Sequence, residues 1–173
     1  MQFITDLKAA QAAKFSFERY KVGAGTEMGD GAPRWSADVM LAGVKIGSVN
    51  DDGDGSPCTI GIPVAEQDRL VAALKAAGYV LDLKVPGTTY VLDEPKTSHD
   101  FLDLALQEFA NHYDTLKFWK SKCKTKSIFR LKGAQPDDFL HFKEKCSVEV
   151  GAMIRKRYGD ELDLIMNEAI AGL

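Results

Sequence analysis

Apolar positions along the chain switch between two periods. From Phe3 to Phe17 they fall three to four apart (Phe3, Ile4, Leu7, Ala10, Ala13), with Lys8 and Gln11 off the stripe. That is the spacing of one helix face, and Asp6 in the first turn suits the helix dipole. Phe15, Phe17, Tyr20 and Val22 break the period, so this end of the segment is expected to leave the helix as a strand. Trp35, Ala37, Val39 and Leu41 then alternate with Ser36, Asp38 and Met40, the period of a strand. Ala42-Gly43 is a turn signal, and Val44, Ile46 and Val49 continue as a second strand. A polar loop from Asn50 to Pro57 leads to a short third strand, Cys58–Ile62. The pattern predicts a three-stranded meander, preceded by a glycine-rich loop from Gly23 to Pro33.

Pro63 suits a first helical turn, where its missing N–H costs nothing. Val64, Leu70, Val71, Leu74 and Ala77 form the predicted buried stripe, and Gly78 is a stop signal. Tyr79–Val85 and Thr88–Leu92 read as a hairpin about Pro86-Gly87, followed by a polar linker from Asp93 to Thr97. Ser98 is the expected N-cap of a long helix carrying Phe101, Leu102, Ala105, Leu106, Phe109, Tyr113, Leu116 and Trp119. Short strands are expected at Ser127–Leu131 and Phe139–Phe142. Ser147 should cap a helix to Tyr158, and Asp160 should start a last helix bearing Leu162, Ile165, Met166 and Ile170. The predicted class is α+β: a mainly antiparallel sheet (meander plus hairpin) with packed helices and a helical C-terminal half. The linker suggests a sheet-rich half, residues 1–92, and a helix-rich half, residues 98–173, forming one compact domain or two tightly packed lobes.

Composition narrows the class without naming an activity. At 173 residues, with 45% hydrophobic and 27% charged, the chain fits a globular domain and excludes disordered, collagenous and low-complexity classes. No apolar run approaches the roughly 18 residues of a membrane span, so no membrane partner is expected. The N-terminus carries Asp6 and lacks a basic lead, which reads as unprocessed and cytoplasmic. Cys58, Cys123 and Cys146 are odd in number and scattered, so reduced thiols are expected rather than a disulfide framework.

Charge is segregated. Residues 82–114 hold seven acids against two bases, whereas 115–135 hold seven bases and no acid. The basic stretch interleaves aromatics with Lys117, Lys120, Lys122, Lys124, Lys126, Arg130 and Lys132, and Trp119 lies within it. Such a stretch attracts phosphate or an acidic protein surface, and otherwise forms a solvated helix end and a lysine-guarded strand edge. Asn50, Asp52, Asp54 and Gly55 match the first half of a calcium-binding loop, but Gly61 stands where the bidentate acid belongs. An Asp/Gly-rich turn is the simpler reading. The glycines from Gly23 to Gly31 lack the lysine of a phosphate-binding loop and precede a strand rather than a helix. His112, Cys123, His141 and Cys146 have no close ligand spacing. Glu108 and His112 stand one helical turn apart without the second histidine of a zinc-protease helix. No catalytic residue, metal or cofactor is assigned.

Two stretches carry a resemblance. Leu41 to Gly55 forms a strand–turn–strand–Asn-Asp-Asp-Gly-Asp-Gly pattern. Cys123 to Leu131 is followed by Arg157-Tyr158-Gly159 and Ile165-Met166-Asn167-Glu168. Together they resemble small accessory proteins of phages and other mobile elements. The resemblance implies a non-enzymatic protein that binds and modulates a host protein or ribonucleoprotein, for example as an anti-CRISPR-like inhibitor of a host defence complex in the bacterial cytoplasm. It implies no catalytic residue. The expected partner-binding face is Lys117, Trp119, Lys120, Lys122, Lys124, Lys126, Arg130 and Lys132, with Asp51, Asp52 and Asp54 as a second face. A nucleic-acid-binding module using residues 117–132 is the alternative, and a metal protein or enzyme using the Asp loop or the His/Cys set is a third.

Overall fold

The computed structural model describes residues 1–23, 33–84 and 88–173. In chain order the elements are α1 (Gln2–Ala12), β1 (Phe15–Val22), β2 (Trp35–Leu41), β3 (Val44–Asp51), β4 (Thr59–Gly61), α2 (Val64–Ala76) and α3 (Ser98–Cys123). They continue with β5 (Ser127–Leu131), β6 (Leu140–Phe142), α4 (Val148–Tyr158), a 3-10 turn (Gly159–Glu161), β7 (Leu162–Ile165) and α5 (Met166–Ala169). The class is α+β with antiparallel sheets. The chain forms two compact units, Thr5–Ala110 and Met1–Ile4 with Asn111–Leu173. The linker at residues 93–97 lies within the first.

In the first unit the sheet order is β1-β2-β3-β4, all antiparallel. The meander is present as read, and β1 extends it, because the alternation of Phe15 and Phe17 matches that of β2. Phe15, Phe17, Trp35, Ala37, Val39 and Leu41 are all buried. Phe15 stands 4.9 Å from the ring of Phe109, which α3 supplies to this core with Leu102 and Leu106. The opposite alternation is polar. Asp38 is held there by Lys45 at 2.8 Å and by Arg19, whose φ of 49° lies at a register shift in β1. A bulge of this kind re-aims a side chain. The two-residue turn between β2 and β3 has Ala42 at φ 52° and Gly43 at φ 77°, the both-positive geometry that matches strand twist.

Helix α1 ends at Ala12 and Phe15–Val22 leaves it as strand β1, as the broken period predicts. Several expectations are corrected. On α2, Val64 is 72% exposed, since it is the first helical residue after Pro63. Gln67 is buried instead, and its Nε2 donates to the Ile62 carbonyl at 2.8 Å. Ala77 is half-buried just past the helix end. The hairpin at 79–92 reduces, among the described residues, to a Lys84–Val91 bridge and a Leu92 N–H to Leu83 carbonyl bond of 2.8 Å. Tyr79 is buried and Leu81 and Leu83 are half-buried, but Tyr90 and Val91 of the returning arm are exposed, so only one arm packs on the core. Val85, Pro86 and Gly87 lie outside the described residues. The cap of α3 is Thr97, not Ser98. Its Oγ1 accepts from the Asp100 N–H at 3.1 Å, and Asp100 accepts from the Thr97 N–H at 3.2 Å, a reciprocal box. Ser98 donates to Asp68.

The second unit holds a sheet of order β6-β5-β7. Ser147 caps α4, as read, by accepting from the Val150 N–H at 3.3 Å. The last helix is corrected: Leu162–Ile165 is strand β7, paired with β5, and only Met166–Ala169 is helical. Ile165 joins Phe129, Val150 and Ile154 in the small core, so burial against β5 decides the conformation. The C-terminal half is therefore helical only in part. Among the described residues no helix is long and apolar enough to cross a membrane.

Gly47 faces the β3–β4 pairing, where an added Cβ would collide with the Gly61 carbonyl and stand 2.7 Å from Ile62 Cγ1. Gly47→Ala is expected to destabilise the protein by about 1–3 kcal/mol, the usual cost of overpacking, read as a lower urea midpoint. The hydrogen bond from Lys45, joined by Arg19, holds the Asp38 carboxyl below its ordinary value against the opposing effect of burial. Its stabilisation is therefore present above the unfolded carboxylate value, near 3.9, and is lost as pH falls through the lower folded value. Asp38→Asn should flatten this acid limb of stability against pH while changing little between pH 6 and 8 in relative slope.

Candidate functional site

The structure divides the lysine stretch into committed and uncommitted charges. Lys117, Lys120 and Lys122 lie on α3, Lys124 and Lys126 on the turn that follows, Arg130 on β5 and Lys132 just beyond it. Arg130 is spent: it pairs with Asp163 at 2.6 Å, donates to the Pro136 carbonyl at 3.2 Å and stacks over Phe139. Lys117 pairs with Asp114 at 3.4 Å, and Lys120 donates to the Leu173 carbonyl at 2.6 Å. Trp119 is half-buried, with its ring 4.6 Å from that of Phe139, so it serves packing. Lys132 stands at the far end of β5, six residues from Lys126 and so about 20 Å away along an extended strand.

What remains is Lys122, Lys124 and Lys126 near the start of β5, and the fold adds two lysines outside the predicted set. Ser127 pairs with Phe142 across the antiparallel β5–β6 ladder. The ladder ends at that pair, so the segment before β5, with Lys122, Lys124 and Lys126, and the segment after β6, with Lys143 and Lys145, adjoin the same end of the small sheet. The Ser127 hydroxyl donates to the Glu144 carbonyl at 2.7 Å and fixes the outgoing chain. Asn167 fixes the incoming one, donating to the Cys123 and Lys126 carbonyls at 3.2 and 2.8 Å and accepting from the Ile128 N–H at 2.8 Å. Among the described residues Lys124, Lys126, Lys143 and Lys145 have no ion-pair partner. Glu144 is the one acid within the 143–145 segment. Phe118 is 52% exposed, and the Lys122 ammonium lies 5.3 Å from its ring centre. Lys143 and Lys145 were missed because the β5–β6 pairing, which composition does not reveal, brings their segment to this end.

The Asp loop is built as a connection between β3 and β4. Asp51 accepts from the Gly53 N–H at 2.7 Å and from Trp35 Nε1 at 3.1 Å. Asn50 donates to Asp52 at 2.9 Å, and Asp54 accepts from the Ser56 N–H at 2.9 Å and from its hydroxyl. The Ser56 hydroxyl bond, then the Ser56 N–H bond, hold the Asp54 carboxyl below its ordinary value. These oxygens act as turn acceptors. Asp103 of α3 joins this corner by accepting from the Cys58 N–H at 2.7 Å. The phosphate-loop reading of Gly23–Gly31 falls on residues 24–32, outside the described residues.

Of the His/Cys set, the fold brings only the two thiols near one another. His112 stands eleven residues up α3 from Cys123, roughly 16 Å away, with its ring 6.3 Å from that of Phe3. His141 is exposed on β6. Burial, then Asp51 and Asp103, push the Cys58 thiol up to about 12, and burial, then Cys146, push Cys123 up to about 11. Burial and the Glu108 carboxylate, which accepts from the phenol at 2.5 Å, hold the Tyr79 hydroxyl protonated far above its usual range.

The chain matches no protein-family model, no curated protein and no solved structure. The surface chemistry is therefore what bears on function. The thiols supply a check on the geometry: iodoacetamide at pH 8 should label Cys58 last in the folded protein, and all three cysteines after unfolding. Peptide mapping that finds Cys58 labelled as fast as Cys146 would contradict the buried site, since the thiolate is the reacting form.

Proposed function

We propose that this chain is a non-enzymatic binding protein of the phage or mobile-element accessory type. It occupies an acidic surface on a host protein or ribonucleoprotein, such as a defence complex, and so modulates it. The observation that carries this reading is the gathering of Lys122, Lys124, Lys126, Lys143 and Lys145 from three segments at one end of the small sheet, without acid partners among the described residues. Clustered charge of one sign steers a complementary surface into place and sets the register of docking. The thiols and the phenol with shifted values are moved away from reactivity, which supports binding rather than nucleophilic chemistry.

The Asp51, Asp52 and Asp54 face contributes less to this reading, because each carboxylate already accepts a hydrogen bond within its own loop. Capture from a nuclease-treated bacterial lysate, followed by mass spectrometry, identifies the partner. A Lys122/Lys124/Lys126/Lys145→Glu variant with an unchanged melting temperature should then bind that partner roughly tenfold or more weakly, chiefly through slower association. Equal capture by the folded variant would remove this face from the site.

A further inference from the structure

We infer that the lysine end of the β5–β6 pair is a platform for single-stranded nucleic acid, with Lys122, Lys124, Lys126, Lys143 and Lys145 meeting phosphates and Phe118 stacking on a base. The inference rests on the binding role proposed for this face and narrows its partner to the nucleic-acid part of a ribonucleoprotein.

The first argument is the charge arrangement. The Ser127–Phe142 pair closes the ladder, and the Ser127–Glu144 bond keeps the segment of Lys143 and Lys145 beside the one that carries Lys122, Lys124 and Lys126. Lysines gathered on neighbouring segments give a local positive potential. Three other bases of the same unit pair with acids: Arg130 with Asp163, Arg155 with Glu168 and Lys117 with Asp114. Here five lysines on adjoining segments have no ion-pair partner among the described residues, and a bound polyanion answers their summed charge. Lysines act as point charges on phosphate rather than as planar forks for single carboxylates, which suits a backbone that presents many equivalent oxyanions.

The second argument is the ring. Trp119 and Phe118 are neighbours on α3, yet Trp119 packs on Phe139 while Phe118 stays half-exposed one turn before Lys122. The edge contact with Trp119, at 5.2 Å and 78°, holds the Phe118 ring from one side. An exposed aromatic beside a track of unpaired lysines is the arrangement by which sequence-tolerant proteins hold single strands. An acidic protein surface accounts for the lysines and leaves the ring without a role.

Fluorescence anisotropy with a labelled oligouridylate of about 12 nucleotides, titrated from low to physiological salt, tests the inference on the full chain. We expect saturable binding with a log–log salt slope of about −0.7 for each phosphate neutralised, near −3 for four or five lysines. A Lys124/Lys143→Glu variant should lower both affinity and slope. Phe118→Ala should weaken binding at least about fivefold while leaving the slope unchanged, because stacking is not ionic. Phe118→Leu, which keeps an apolar side chain, guards against a folding defect and should weaken binding in the same way. Lys8→Glu, in the other unit, should alter neither quantity. Absence of saturable binding at low salt, insensitivity to both Phe118 variants, or equal displacement by polyglutamate would each overturn the inference. If the oligonucleotide fails to bind while the lysine-reversed variant still loses its captured partner, the binding face stands and its ligand is an acidic protein. If that variant keeps its partner as well, both readings fall.

Discussion

One side-chain amide, that of Asn167, sets the geometry on which the second unit depends. Its Oδ1 accepts from the Ile128 N–H, and its Nδ2 donates to the carbonyls of Cys123 and Lys126. The last carbonyls of a helix have no partner within it, and the residues between α3 and β5 have no ladder. Asn167 satisfies both at once and so fixes where β5 begins. From that start follow the pairing of Ser127 with Phe142, the pairing of Phe129 with Ile165, and the closure of the Phe129, Val150, Ile154 and Ile165 core. The position of every lysine at the β5–β6 end is a consequence of the same register. Buried polar networks fix one arrangement in this way when each member is satisfied.

The first unit follows a different logic, in which alternation rather than a single amide sets the register. Phe15, Phe17, Trp35, Val39 and Val49 are buried, and the reverse face carries Ser36, Asp38 and Ser48. A slip of one residue would exchange the two faces, so the register of this meander is strongly specified. Gly47 lets the short strand β4 approach closely. The carboxylates of the Asp loop then finish the β3–β4 connection by capping its own backbone, and Asp103 ties the start of β4 to α3 through the Cys58 N–H.

The elements with a strong period were legible in the chain: β2, β3, α2, the long α3, β5 and the capped α4. Those decided by tertiary burial were not. Leu162, Ile165 and Met166 have helical spacing, but β5 offered a free edge, and Leu162–Ile165 became a strand. Tyr79 to Leu92 has strand-forming residues, but Tyr90 and Val91 of its second arm lie exposed, and its hairpin came to a single bridge among the described residues. The lysine stretch was legible as a charge run. Its division was not, because pairing of Arg130 with Asp163 and packing of Trp119 on Phe139 are long-range facts. Lys143 and Lys145 looked like ordinary surface residues until the β5–β6 pairing brought their segment to the end where β5 begins.

Register and charge thus oppose each other at one place in this unit. The hydrogen bonds of Asn167 and Ser127 hold two chain segments together there, while the ammonium groups they bring along repel. Surface repulsion of this kind is modest and screened by salt, so the buried hydrogen bonds and the apolar core decide the fold. The repulsion is not removed by folding, however; it is displaced to the surface, where only an external anion can relieve it. The fold spends acids on Arg130, Arg155 and Lys117 and, among the described residues, none on Lys124, Lys126, Lys143 and Lys145. The positive potential at this end grows with the number of lysines gathered there rather than with any single one, because each adds to the summed field of the cluster.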